Sequence, residues 1–243
     1  MHIASTSLSY SNIVTPYDNS SINNRHLDNG EFKSDYTQGP EHPRPSGRSV
    51  TESGIRPKSI WSDFFQVTEG NCVTVSAIKA AMVKFGSHPE GIYKSIERTM
   101  DGFDVVMRDG EKVSITHEEL QQADYKSGFA GHGKVLRHAT FLYAVSAKRA
   151  QNENNDGRAG ESFEAALRSL NDGETPGEAL TRLGLKHHMR QGKVDELIDG
   201  AIGTLANKTH SVAVVDGNID LWSIKRPLSN SDWKKAESVF ILV

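Results

Sequence analysis

"FFQVTEGNCVTVSAIKAAMVKFG", residues 64–86, contains the single cysteine of this 243-residue chain. After Cys72, apolar residues recur at spacings of three and four as far as Gly86, which predicts an amphipathic helix that ends there. Asn71 precedes the cysteine, and asparagine is a favoured N-cap residue. The pattern places the thiol at a helix N-terminus, where free amides and the helix dipole stabilise a thiolate. By position alone, Cys72 fits a nucleophile and a small structural residue equally well.

The composition excludes several classes of protein. A net charge of -3 gives no electrostatic reason to expect nucleic-acid binding. One cysteine rules out an intramolecular disulfide and a cysteine-based zinc cluster, and it suits a reducing compartment. No window is apolar enough to span a membrane, and the N-terminus lacks the features of a cleaved signal peptide. The sequence predicts neither a cofactor nor a metal site.

Residues 1–58 differ in character from the rest of the chain. They are rich in Ser, Asn and Pro, and their sparse apolar residues follow no helical or strand period. Such a segment buries too little surface to offset its ordering entropy, so we expect disorder. Its opening residues, "MHIASTSLSYS", resemble the Ser-rich, uncleaved leader of bacterial type III secreted effectors. An ordinary flexible tail would have a similar composition.

Residues 59–243 have the pattern of one α+β domain. "FDVVMRDGEKVSIT" (103–116) predicts a hairpin around Asp109-Gly110, and Thr116 with Glu119 forms a capping box for the next helix. The helical patterns that follow cover residues 134–151, 161–170, 176–183 and 193–206. "HSVAVVDGNIDLWSI" (210–224) predicts a second hairpin, and "SVFILV" (238–243) predicts a closing strand. We also expect Trp222 to pack within a half-buried strand.

His210 is the candidate base among the ten histidines of the chain. It stands at the start of the apolar run "HSVAVV", far downstream of Cys72. A rigid strand is able to hold an imidazole against a helix N-terminus, which is the geometry that a Cys–His pair requires. The remaining histidines lie in the N-terminal segment, in loops or on helices, where solvated or packing roles are the ordinary outcome.

A cysteine at the start of the first long helix and a late histidine at a strand start resemble the papain-like cysteine hydrolase fold. "GNCVTVSAIKAAMVKFG" and "DGFDVVMRDGEKVSITHEEL" look more like bacterial effector members of that group than like digestive proteases. The resemblance covers residues 59–243. It implies that Gln66, six residues before the cysteine, donates its side-chain amide to an oxyanion hole together with the Cys72 backbone amide. That group includes host-directed proteases and glutamine deamidases.

The third catalytic position is open between two residues. The family places Asp or Asn after the histidine to hold the imidazole. Asp220 is the first choice, because it is the acid within a predicted strand. A two-residue turn at Asp216-Gly217 would instead set Ser223 opposite His210 and turn Asp220 to the other face, so Ser223 is the second choice.

These features predict a secreted bacterial effector that is delivered into the host cytoplasm and hydrolyses host protein amides through a Cys–His mechanism. The implied partners are a host protein substrate and a secretion chaperone on the leader, with no nucleic acid and no membrane span. Protease and glutamine deamidase share this chemistry, and the sequence does not choose between them. The alternatives are a catalytically degenerate papain-like protein and an unrelated α+β protein-binding effector.

Overall fold

A computed structural model describes residue 57 and residues 59–67 and 69–243 of the chain. The secretion leader predicted for residues 1–58 therefore lies, apart from Pro57, outside the described residues. The described part is a mixed α+β structure with separate antiparallel sheets. None of its helices is long and apolar enough to cross a bilayer.

Seven α-helices are found in the described residues, and the longest is the predicted helix that precedes the polar loop at residues 153–160. Their bounds are α1 Cys72–Phe85, α2 Pro89–Ile92, α3 His117–Ser127, α4 Gly133–Asn152, α5 Phe163–Ser169, α6 Pro176–Arg182 and α7 Val194–Ile198. The capping box predicted at Thr116 and Glu119 is present at the start of α3. The cap is made reciprocally, because each residue's side chain accepts from the other's backbone N–H.

Eleven strands form three antiparallel sheets in the described part of the chain. β1 (Phe64–Gln66) pairs with β5 (Phe129–Gly131), and β2 (Ser95–Arg98), β3 (Gly102–Val106) and β4 (Lys112–Thr116) form a meander that contains the first predicted hairpin. The third sheet has the order β10-β9-β8-β7-β11-β6. Its strands are β6 Met189–Gln191, β7 Gly203–Ala206, β8 Ser211–Val215, β9 Asn218–Leu221, β10 Ile224–Pro227 and β11 Ser238–Leu242.

The six-stranded sheet has two different faces. One face carries an apolar cluster, in which Val212, Val214 and Ile219 pack with Leu205 and Val239. The opposite face is covered by α1, which contacts it through a buried hydrogen bond between the hydroxyls of Ser76 and Ser211, 2.8 Å apart. The helix that begins with the cysteine therefore lies directly against the strand that follows His210.

The helix predicted over residues 193–206 is wrong in its second half. α7 ends at Ile198, Gly200 has a φ of 106° that no right-handed helix allows, and Gly203–Ala206 form β7. β7 pairs with β8 on one side and β11 on the other, so tertiary pairing decides the conformation of this segment. The residues of β7 are buried, and their backbone groups pair with both neighbouring strands, which a helix at this position could not do.

Candidate active site

Cys72 is the first residue of α1 and is half-buried. Two contacts fix the residues that lead into α1. Gly70 lies so close to Asn171 that a Cβ on it would be 2.8 Å from the Asn171 carbonyl oxygen. The buried Asn71 side chain donates to the Ser127 carbonyl at 2.7 Å. Asn71 occupies the N-cap position as expected, but its side chain makes no capping bond. It instead ties the start of α1 to the end of α3. The backbone N–H of Cys72, in the first turn, has no intrahelical acceptor.

Five residues singled out from the sequence line one small cleft. Its lining includes Gln66, Cys72, His210, Asp220 and Ser223. The cleft opens to solvent, and its lining is completed by Phe65, Val75, Ser76, Ser211, Val212, Ala213 and Trp222. The lining residues come from β1, the first turns of α1, β8 with the residue before it, β9 and the β9–β10 turn.

Gln66 is the last residue of β1, where it pairs with Phe129. Its side-chain nitrogen donates one hydrogen bond to the carbonyl of Glu69, within the loop that leads to Cys72. The Glu69 carboxylate in turn accepts from Asn171 at 3.2 Å. A primary amide carries a second N–H, for which no acceptor is found among the described residues.

His210 immediately precedes β8 rather than lying within it. Its backbone N–H is held by the Asn207 side chain at 2.9 Å. The imidazole stacks on Trp222, with ring centroids 5.0 Å apart and planes 24° from parallel, and it meets Trp233 edge-on. Burial lowers the pKa of His210 below its ordinary value, and the Asp220 carboxylate opposes this shift. A lowered pKa favours the neutral imidazole, which is the form that accepts a proton.

Asp220 is buried in β9 and forms an ion pair with Lys79 of α1. The β8–β9 turn is the two-residue Asp216-Gly217, with Val215 opposite Asn218. Strand alternation therefore directs Asp220 towards α1, away from the apolar cluster that contains its neighbour Ile219. His210 still shares the cleft with Asp220, because it lies before β8 and escapes the alternation of that strand.

No hydrogen bond joins His210 to Cys72 or Asp220 in the described structure. The interaction between the imidazole and the carboxylate is electrostatic. Burial raises the pKa of Asp220, while Lys79 and the Ser223 amide act in the opposite direction. Ser223, the second choice for the third position, lies in the turn between β9 and β10 and lines the same cleft.

Trp222 corrects the expectation of a half-buried strand residue. It is 61% exposed and sits with Ser223 in a two-residue turn, where both residues have positive φ (49° and 65°). Type I′ turns require such angles and favour Asn and Gly. The sequence "LWSI" contains neither residue, so it gave no indication of a turn. The indole covers the imidazole instead of filling the core.

Lys79 is the site residue that the sequence reading missed. It is 1% exposed on α1 and occupies an otherwise apolar stretch, "VSAIKAAMV". A lysine is almost never fully buried without a partner, so a single charge in such a helix is a signal for a buried acid. In the structure, that acid is Asp220.

Four other described histidines serve local packing. The ring of His138 bonds the Ser87 carbonyl at 2.9 Å and packs on His88, while His117 and His188 lie edge-on to Phe103 and Phe85. No protein-family model, curated protein or solved structure matches the chain.

Proposed function

We propose that residues 59–243 form a papain-like thiol hydrolase that acts on protein amides. One observation carries the proposal: Cys72 and His210, far apart in the sequence, line one cleft together with Gln66. A thiol at a helix N-terminus, an imidazole that can take its proton and an amide donor are the parts that thiol acyl transfer requires. The packing of the cysteine-bearing helix on an antiparallel sheet also supports the papain-like fold.

The reaction starts with proton transfer from the Cys72 thiol to the His210 imidazole. The thiolate attacks the amide carbonyl, and the charge that develops on its oxygen is stabilised by Gln66 and the Cys72 backbone amide. The C–N bond breaks as the imidazolium returns its proton to the leaving nitrogen. Water then attacks the thioester with His210 as base, which releases the carboxylic acid and restores the thiol. Asp220 stabilises the imidazolium formed in the first step.

The leaving nitrogen defines two activities of this site. A main-chain amide would release a peptide amine, and a glutamine side chain would release ammonia. We propose a bacterial effector whose substrate is a host protein and whose leader, residues 1–58, directs secretion with the help of a chaperone. Intact-mass analysis separates the two activities, because deamidation adds about one dalton without cleavage whereas proteolysis produces fragments.

Alkylation of Cys72 tests the mechanism without a substrate. With one cysteine in the chain, intact mass reports its reaction with iodoacetamide directly. A free thiol is about 1% thiolate at pH 6.5, so a thiolate–imidazolium pair should react up to about 100-fold faster. His210→Ala should remove most of this acceleration, and His138→Ala, a packing histidine away from the cleft, is the matched control. Slow alkylation that does not respond to His210→Ala would contradict the mechanism.

A catalytically degenerate binding protein is the second candidate. It is favoured by one observation, namely that the Asp220 carboxylate is paired with Lys79 while His210 has no hydrogen bond to it in the described structure. In that case Cys72→Ser and wild-type protein would bind the same partner and leave its mass unchanged. In a hydrolase, only the wild type would change the mass of the partner.

A further inference from the structure

We infer that Lys79 is a positioning residue of the cleft, which keeps Asp220 ionised so that its second carboxylate oxygen is held ready for the His210 imidazolium. This inference rests on the proposed thiol mechanism. It concerns a buried ion pair beneath the cleft rather than the groups that touch the substrate.

Lys79 has no capacity left for a ligand of its own. Its ammonium group contacts Asp220, donates to the Trp61 carbonyl at 3.3 Å and lies 5.1 Å from the centroid of the Phe64 ring. These contacts occupy the three donors of an ammonium with a carboxylate, a carbonyl and an aromatic face. Its location two turns after Cys72 on α1 therefore links the nucleophile's helix to β9.

Asp220 uses only one of its carboxylate oxygens in this pair. Oδ2 contacts Lys79, whereas Oδ1 is buried and makes no well-formed hydrogen bond among the described residues, although the nearby Ser223 amide also favours the charged carboxylate. A buried acceptor without a partner is unfavourable, so such an atom calls for a functional explanation. His210 shares the cleft with Asp220 and interacts with it electrostatically. Protonation of the imidazole would supply the missing donor to Oδ1.

The charge of Lys79 determines whether Asp220 is ionised and able to accept a hydrogen bond from the His210 imidazolium. Burial favours the protonated, neutral form of the acid, and Lys79 opposes that preference. Without the lysine, the equilibrium of Asp220 would shift towards the protonated acid, which does not attract a positive charge on His210. The thiolate–imidazolium pair would then form only at a pH high enough to ionise Asp220.

Other titratable groups near the pair come from four elements. Cys72 lies on α1, Asp63 before β1 acts on Lys79, and His210 lies before β8. Lys225 is the cross-strand partner of Asp220 in β10 but is exposed and lies over the Trp61 ring, with its ammonium 5.6 Å from the centroid. Its charge faces solvent, so Lys79 is the cation in direct contact with the carboxylate.

The test is the pH profile of Cys72 alkylation in the full chain, measured with iodoacetamide from about pH 5 to 9. In Lys79→Met, the pH at which the alkylation rate rises should be higher than in the wild type by about one pH unit or more. Lys84→Met removes a charge from an exposed position on the same helix and should follow the wild-type profile. Asp220→Asn should give a low rate at acid and neutral pH, which should rise only where an ordinary thiol ionises, near pH 8.5. A Lys79→Met profile with a lower rate at every pH and an unchanged midpoint would overturn the inference. A loss of packing alone would lower the rate without shifting the midpoint.

The double variant Lys79→Met/Asp220→Asn keeps the test decisive if Lys79→Met does not fold. It replaces both buried charges by neutral groups, which is far better tolerated than removal of one. Because Lys79 acts through Asp220, the double variant should react no more slowly than Asp220→Asn. A clearly slower double variant would overturn the inference. If alkylation is already slow in the wild type and insensitive to His210→Ala, the proposed function itself fails.

Discussion

Replacement of Trp222 by alanine tests how the cleft controls its histidine. The indole is 61% exposed, so only about 39% of its surface is removed from water, mainly against the His210 ring. For a side chain of roughly 250 Å², that amounts to about 100 Å², or about 2.5 kcal/mol as an upper value. A tryptophan fully buried in a core would cost about 3–5 kcal/mol. We expect a loss of about 2 kcal/mol in the free energy of unfolding.

The same variant should raise the pKa of His210. Burial is the main reason that this pKa lies below its ordinary value, and Trp222 covers one face of the ring. Water that reaches the uncovered face stabilises the imidazolium. An NMR titration of the histidine Cε1 protons, with the His210 signal assigned by its loss in His210→Gln, measures the shift. Urea denaturation measures the stability.

Ile224→Ala is the matched control for this prediction. Ile224 is 52% exposed and lies on the same hairpin, but it is not part of the cleft lining. It should leave the pKa of His210 unchanged. The reasoning is refuted if Trp222→Ala leaves that pKa where it was, or if it costs the 4 kcal/mol or more of a core residue.

Three further predictions concern stability. Burial lowers the pKa of His210 in the folded protein relative to about 6.5 in the unfolded chain. The free energy of unfolding that depends on His210 is therefore fully present above about pH 6.5 and is lost as the pH falls towards the folded pKa. Urea titrations at pH 7 and 5 should therefore show a smaller loss of stability in His210→Gln than in the wild type, and equal losses would contradict this. Gly203→Ala would bring a Cβ to 2.0 Å from the Phe240 carbonyl oxygen, so it should separate β7 from β11 and cost more than about 2 kcal/mol; an unchanged urea midpoint would disprove the close approach. Thr116→Ala should cost about 1 kcal/mol through the loss of the α3 cap, whereas the exposed Ser114→Ala on the preceding strand should cost less.

Local signals in the sequence predicted the elements whose ends are marked by a capping residue or a glycine. Cys72–Phe85 shows helical spacing and ends at Gly86, and the capping box at Thr116 identified the start of α3. The short strands β1, β5 and β6 have three residues each and exist because of distant partners, so their sequences show no clear period. Gly203–Ala206 was assigned to a helix for the same reason, since pairing on both sides is invisible to local propensity.

The cleft shows the same division between local and distant information. Cys72 and His210 were chosen from their positions at the starts of elements, and both line the cleft. The role of Asp220 depended on a turn length and on where β8 begins, and its pairing with Lys79 depended on the packing of α1 against β9. Trp222 was misjudged because an aromatic residue in an apolar run indicates a buried strand, whereas here it occupies a turn with positive φ.

The order of the six-stranded sheet determines when the cleft comes into existence. β11, formed by residues 238–242, does not lie at an edge but between β7 and β6. During synthesis, Cys72 emerges long before His210, and the sheet that supports His210 lacks an interior strand until Leu242 has been added. Contacts of such long sequence separation form late and slowly. A nascent or partly unfolded chain therefore carries Cys72 apart from His210, and the cleft that both residues line is complete only after the last strand is inserted.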